Sequence, residues 1–243
     1  MRLHIVNPNT TATMTQSIAA AAKAALPAGV AIMATEPEFG PTSIEGYYDG
    51  AFAVPGLLAR IVEAERSGVD AHVIACFDDT GLDAARSAAQ APVIGIGEAA
   101  YHAASMVGLR FSVVTTLSRS IPVIEDNLTR YGLAHRCARV RASEVPVLSL
   151  ETDGAAAEAK VADEIRQALE EDGADTVVLG CAGMADMARR FSQRFQVPVI
   201  DGVAAGAAFA VALATLGVKT SKAGGYASPA SKTYSGIFSR FAP

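Results

Sequence analysis

Short apolar runs of four or five residues recur along the chain with little polar alternation, and longer stretches with helically spaced apolar residues lie between them. Runs of that kind fit strands buried on both faces, as in a parallel sheet whose crossovers are helices. The pattern predicts strands over residues 3–6, 30–34, 71–75, 93–96, 111–115, 138–142, 176–179 and 199–200. Helices are predicted over residues 11–25, 48–67, 81–90, 96–107, 118–131, 155–171, 183–194 and 203–216. Regular alternation of the two implies an α/β fold. No Ser/Gly-rich linker or charge run marks a flexible boundary.

The second half of the chain echoes the first. Gly68-Val-Asp-Ala-His-Val-Ile-Ala-Cys76 returns 105 residues later as Gly173-Ala-Asp-Thr-Val-Val-Leu-Gly-Cys181, and Pro92-Val-Ile returns as Pro198-Val-Ile. Arg2-Leu-His-Ile-Val-Asn-Pro-Asn-Thr10 parallels Arg110-Phe-Ser-Val-Val-Thr-Thr-Leu-Ser118. In each copy a strand ends in polar residues that open a helix. The expected architecture is two similar α/β lobes with mainly parallel sheets, related by a pseudo-two-fold axis, with the active-site cleft between them. Residues 1–97 plus 203–243 form the first lobe in this reading and residues 98–202 the second, the last long helix returning to the first. Ligands of open α/β sheets bind outside the carboxyl ends of the strands.

Cys76 and Cys181 stand at two such strand ends, close to helix-opening N–H groups, a setting that lowers a thiol from its usual pKa of about 8.5. A lone cysteine is often only a small buried hydrophobe; two at duplicated strand ends suggest thiols facing one another across a pocket. Such a pair takes a proton from one face of a carbon and returns it to the other, the outline of a racemase with no cofactor. Cys137 has no counterpart in the repeat and reads as structural.

Around the thiols, the polar strand ends Asn9, Thr115 and Thr116 are candidates to cradle a substrate oxygen, although N-capping accounts for such residues equally well. Phe77, Asp78 and Asp79 follow the first thiol, and Ala182 and Gly183 the second. Free amides there suit an enolate oxygen, and either aspartate suits a substrate N–H, an N-cap role for Asp79 being the other reading. Phe39, Gly40 and Pro41 have the composition of an active-site lid.

The net charge of −5, a pI near 5.4 and only five scattered lysines speak against a nucleic-acid partner. No stretch suits a membrane span. Three cysteines without Cys-x-x-Cys spacing, and four histidines without ligand spacing, indicate neither a disulfide framework nor a metal site. No nucleotide fingerprint or pyridoxal phosphate constellation is present. The expectation is a cytoplasmic protein with reduced thiols that uses neither metal nor cofactor and acts on a small molecule.

At Asn7-Pro-Asn-Thr10, Gly40-Pro-Thr-Ser-Ile-Glu-Gly-Tyr47, Ala75-Cys-Phe-Asp-Asp-Thr-Gly-Leu82, Val113-Val-Thr-Thr116 and Gly180-Cys-Ala-Gly-Met184 the chain resembles the Asp/Glu/hydantoin racemase superfamily, most closely its hydantoin racemase branch. The resemblance implies two lobes around a cleft, cofactor independence, a homo-oligomer, and two-cysteine racemisation of 5-monosubstituted hydantoins at C5. Amino-acid racemases of the superfamily look like Cys-Asn-Thr and Gly-Cys-Thr-His at the two thiols. Here Cys76-Phe-Asp-Asp and Gly180-Cys-Ala-Gly stand instead, which weakens the case for aspartate or glutamate. An allantoin racemase, an amino-acid racemase and a catalytically inactive binding protein are the alternatives.

Overall fold

The expected alternation is realised as two four-stranded parallel sheets. The computed structural model describes residues 1–243, apart from the side chain of Glu151. In the first half β1 (Arg2–Val6), α1 (Ala12–Ala25), β2 (Ala31–Thr35), α2 (Tyr47–Arg66), β3 (Ala71–Ile74), α3 (Leu82–Ala88) and β4 (Val93–Gly95) alternate. After α4 (Ile96–Val107) come β5 (Phe111–Thr115), α5 (Ile121–Arg130), β6 (Cys137–Ala142), α6 (Ser149–Thr152), α7 (Gly154–Glu171), β7 (Thr176–Gly180), α8 (Ala188–Phe195), β8 (Val199–Asp201) and α9 (Gly202–Thr215). The strand orders are β2-β1-β3-β4 and β6-β5-β7-β8, the same plan twice, and every pairing is parallel. The two cysteine motifs therefore follow equivalent central strands, β3 and β7.

Both helices that were expected to open near residues 118 and 183 begin later. Residues Ser118–Ser120 and Ala182–Met187 form 3₁₀ turns first. Pro122 at the opening of α5 supplies a fixed φ and lacks an N–H that the first turn would leave unpaired. No element of the described residues is a helix long and apolar enough to cross a membrane.

One hydrophobic core spans the two sheets. Leu3, Ile5 and Val73 of the first sheet share it with Phe111, Val113 and Val178 of the second, and Ala99, Ala100 and Tyr101 of α4 and Val203, Ala207 and Ala210 of α9 join it. The helix α9 packs on α4, α1 and β3, and reaches β7 and β8 as well. Its approach to α4 depends on glycine: a Cβ on Gly202 would lie 2.7 Å from the Ile96 carbonyl oxygen, and one on Gly206 3.2 Å from the side chains of Ile96 and Val73. Asp201 caps α9 by accepting hydrogen bonds from the Val203 and Ala204 N–H groups.

Beneath the first sheet runs a buried polar chain. Thr35 Oγ1 lies 2.8 Å from His4 Nε2, His4 Nδ1 lies 2.9 Å from His72 Nδ1, and His72 Nε2 lies 2.9 Å from Glu65 Oε1. A single assignment satisfies all three contacts with both rings neutral: Thr35 donates to His4, His4 donates to His72, and His72 donates to Glu65. Glu65 also accepts from the Gln90 and Ala91 N–H groups. Burial, with His72 and Arg60 nearby, brings His4 down to about 3. Burial alone would raise Glu65, but the His72 bond and the two amides outweigh it and hold the carboxyl at about 2.

Both shifts act in the same direction. The neutral His4 contributes stability that is present above its unfolded value of about 6.5 and is lost as pH falls toward 3; the Glu65 contribution is lost between about 4.5 and 2. The unfolding free energy from urea titrations is expected to fall by roughly 1.4 kcal/mol per pH unit for each extra proton bound by the unfolded chain. Between pH 6 and pH 4 His4→Gln should remove close to one proton from that slope; an unchanged slope would contradict the assignment.

Candidate active site

The two thiols come to one cavity. Cys76 and Cys181 line it together with Asn9, Phe77, Asp78, Thr115, Thr116 and Ala182, all expected from the sequence. Its volume is about 30 Å³, room for roughly two water molecules. The cleft is therefore narrow at the thiols, and both cysteines keep partial access to solvent.

Each cysteine is held by the same local turn. The Asp79 N–H donates to the Cys76 carbonyl at 3.0 Å, and the Met184 N–H to the Cys181 carbonyl at 3.1 Å. The amide two residues after each cysteine, that of Asp78 in one half and Gly183 in the other, donates to the sulfur. Thr80 Oγ1 adds a contact of 3.5 Å to Cys76 Sγ. These donors favour thiolate but do not win. Burial pushes both thiols up, Cys181 to about 12 and Cys76 further, with the Asp78 carboxylate adding to both. The expected lowering at helix starts is therefore corrected: desolvation of sulfur deep in the cleft outweighs the gain from one or two N–H groups.

The polar strand ends are pre-arranged. Asn9 Oδ1 accepts from Asn7 Nδ2 and from the Thr11 N–H, both at 2.9 Å, so its orientation is fixed and its amide hydrogens keep only a 3.6 Å contact to Met14 sulfur. Thr115 Oγ1 is committed to the Gly180 carbonyl at 3.0 Å. The Thr116 hydroxyl has no intramolecular partner among the described residues, nor has that of Ser120, a lining residue not anticipated from the sequence.

Three other expectations are corrected. Asp79 is fully turned away: its carboxylate accepts from the Gly97 and Glu98 N–H groups at 3.0 and 2.8 Å and from the Tyr131 hydroxyl at 2.8 Å, so it caps α4 from a distance. Burial nevertheless raises it to about 7, against those three donors. Gly183 contributes its amide to Cys181 while lying outside the cavity lining. Phe39, Gly40 and Pro41 line a separate apolar cavity of about 460 Å³ with the C-terminal Phe238 and Phe241. The Arg240 guanidinium lies 4.5 Å from the Phe39 ring centre, which holds that ring outward. Of this loop only Ile44 reaches the thiols.

Besides Ile44 and Ser120, the residues missed are Pro8, Met14, Ala75, Val147 and Gly180. Ala75 and Gly180 directly precede the cysteines and were the accessible signal; Met14, Ile44 and Val147 come from a helix and two loops whose convergence no local pattern encodes. Glu45 Oε1 accepts from the Val147 N–H at 2.9 Å and so ties the first-half loop to the second half. No Lys, Arg or His lines the cavity. Arg119, just beyond Thr115 and Thr116, runs its stem beside Gly46 and is not among the lining residues.

Comparison with known proteins places these features in context. The family described as Asp/Glu/Hydantoin racemase matches residues 3–210. A hydantoin racemase of Rhizobium meliloti is 48% identical over 236 residues, covering 97% of this chain and 98% of that protein. A hydantoin racemase of Pseudomonas sp. (strain NS671) is 44% identical, covering 99% and 97%. The solved allantoin racemase from Klebsiella pneumoniae superposes with a TM-score of 0.97 at 46% identity, covering 100% of this chain and 99% of that one.

Two outcomes follow from the geometry. Iodoacetamide labelling of Cys76 and Cys181, followed by mass spectrometry, should accelerate steadily from pH 7 to pH 10; a plateau below pH 9 would contradict the raised thiols. Asp79→Ala should cost about 1–3 kcal/mol in urea unfolding, because three donors lose their acceptor.

Proposed function

The chain belongs to the Asp/Glu/hydantoin racemase family and is an isomerase, a racemase; on that premise we propose that it racemises 5-monosubstituted hydantoins at C5 through Cys76 and Cys181. One sulfur, as thiolate, takes the C5 proton, leaving an enolate delocalised onto the C4 carbonyl. The other, as thiol, donates a proton to the opposite face, and the two exchange roles for the opposite enantiomer.

The observation that carries this reading is one narrow cavity holding two thiols and neutral hydrogen-bond donors, with no basic side chain among its described lining residues. An amino-acid substrate would bring an α-carboxylate to a site without a cation and with Asp78 already present, a costly burial of like charges. A cyclic ureide is neutral and presents N–H and C=O groups. The raised thiols suit a carbon acid: a thiolate formed in this setting is a stronger base than one in water. Asn9 and Thr116 line the same cavity, and in this reading they donate to the enolate oxygen, each such donor being worth roughly 10²–10³ in rate. Met14, Ile44, Phe77 and Val147 offer apolar wall to a C5 substituent.

Allantoin, a hydantoin with a ureido group at C5, is the second reading. The likeness to the Klebsiella pneumoniae allantoin racemase and the unpartnered Ser120 hydroxyl favour it. Optically pure 5-benzylhydantoin and allantoin in D₂O separate the two. Loss of optical rotation with deuterium at C5, abolished in Cys76→Ala and in Cys181→Ala, is the expected outcome. Rotation unchanged by the native enzyme on both compounds would refute the proposal; Asn9→Ala should slow turnover about 10²-fold.

A further inference from the structure

The pseudo-two-fold axis relates the two cysteine turns, but the position two residues after each sulfur differs. In the second half it is Gly183, which has no side chain to offer the cavity and where a Cβ would lie 2.9 Å from Leu150 Cδ1. In the first half it is Asp78, whose side chain lines the cavity. Its backbone is fixed from both sides: the N–H donates to Cys76 sulfur, and the carbonyl accepts from Asn127 Nδ2 of α5 at 2.9 Å. Its carboxylate makes no hydrogen bond and no ion pair among the described residues. The site thus holds one largely buried, unpartnered acceptor, and a buried carboxylate without a donor is costly.

Resting on the hydantoin reading above, we propose that Asp78 accepts a hydrogen bond from the N1–H of the substrate ring and so selects ureides that carry a hydrogen there. The choice of N1 follows from charge. C5 lies between the sulfurs and has two ring neighbours, C4 and N1. Negative charge develops on the C4 oxygen during proton removal, so a carboxylate beside it would oppose the reaction; the carboxylate belongs on the other flank, at N1. The ring N–H supplies the donor the protein omits. Burial pushes Asp78 up to about 7, and its charge adds to the rise of both thiols. An N–H donated to it offsets that field at the moment a thiolate is needed.

The test compares kcat/KM for 5-benzylhydantoin with those for its 1-methyl and 3-methyl derivatives, in the native enzyme and in Asp78→Ser. The native enzyme should reject the 1-methyl compound by at least about 10²-fold and accept the 3-methyl compound within about tenfold. Asp78→Ser, which removes the charge and opens space, should lose activity on the parent compound and narrow the 1-methyl discrimination to a few-fold. A merely structural role would lower all three rates together and leave the discrimination intact, which overturns the inference. Rejection of only the 3-methyl compound, or of neither, by the native enzyme also overturns it, and this arm stands even where the serine variant fails to fold by circular dichroism. Failure of the native enzyme on every hydantoin would overturn the underlying substrate reading instead.

Discussion

Everything at the thiols depends on how closely α9 and α4 pack between the two sheets. The sulfurs belong to different sheets, so no local structure sets their relationship; the elements joining the sheets do. Gly202 and Gly206 let α9 settle on Ile96, and the shared core from Leu3 to Val178 makes that contact continuous with both sheets. Three polar links add register near the cavity itself: Asn127 to the Asp78 carbonyl, Tyr131 to Asp79, and the Val147 amide to Glu45. A methyl group at residue 202 would strike backbone rather than a flexible side chain, and the displacement would be felt at the cavity.

The fold was largely legible because its signal is local. Buried parallel strands are short apolar runs, and all eight stand within one or two residues of their expected positions. The duplicated cysteine flanks were legible for the same reason, since equivalent strands carry equivalent burial. What escaped was set by three-dimensional context. Near residues 118 and 183 the helices are preceded by 3₁₀ turns, Pro122 opening the first helix and the second turn presenting the Gly183 amide to Cys181. Phe39 reads as lid but is held away by Arg240 and Phe241, some two hundred residues further along the chain. The direction of the thiol shifts was misjudged because a helix-start amide is visible in sequence and burial in a cleft between two sheets is not. Asp79 looks like a site residue beside Asp78, yet it lies in the turn after β3 with a positive φ of 51°, and its carboxylate serves α4.

The loop beside the thiols is held from two sides. Ile44 is the part of the 39–46 loop that touches the cavity, and Glu45 anchors it to the second half. The same loop is gripped on its outer side by the C-terminal aromatics. A segment held by both halves of the chain therefore borders the thiols, and where it shields them from water fixed donors act more strongly.

The unequal side chains at positions 78 and 183 mean that a symmetric scaffold presents mirror-image molecules with inequivalent surroundings. Enantiomers are equally stable in an achiral solvent, so the equilibrium constant between them is unity whatever the catalyst. Thermodynamics then obliges the two directions to share one specificity constant, while leaving affinity and turnover free to diverge. The carboxylate that breaks the symmetry cannot bias the final mixture; it can only decide which hand of the substrate binds more tightly and is turned over more slowly.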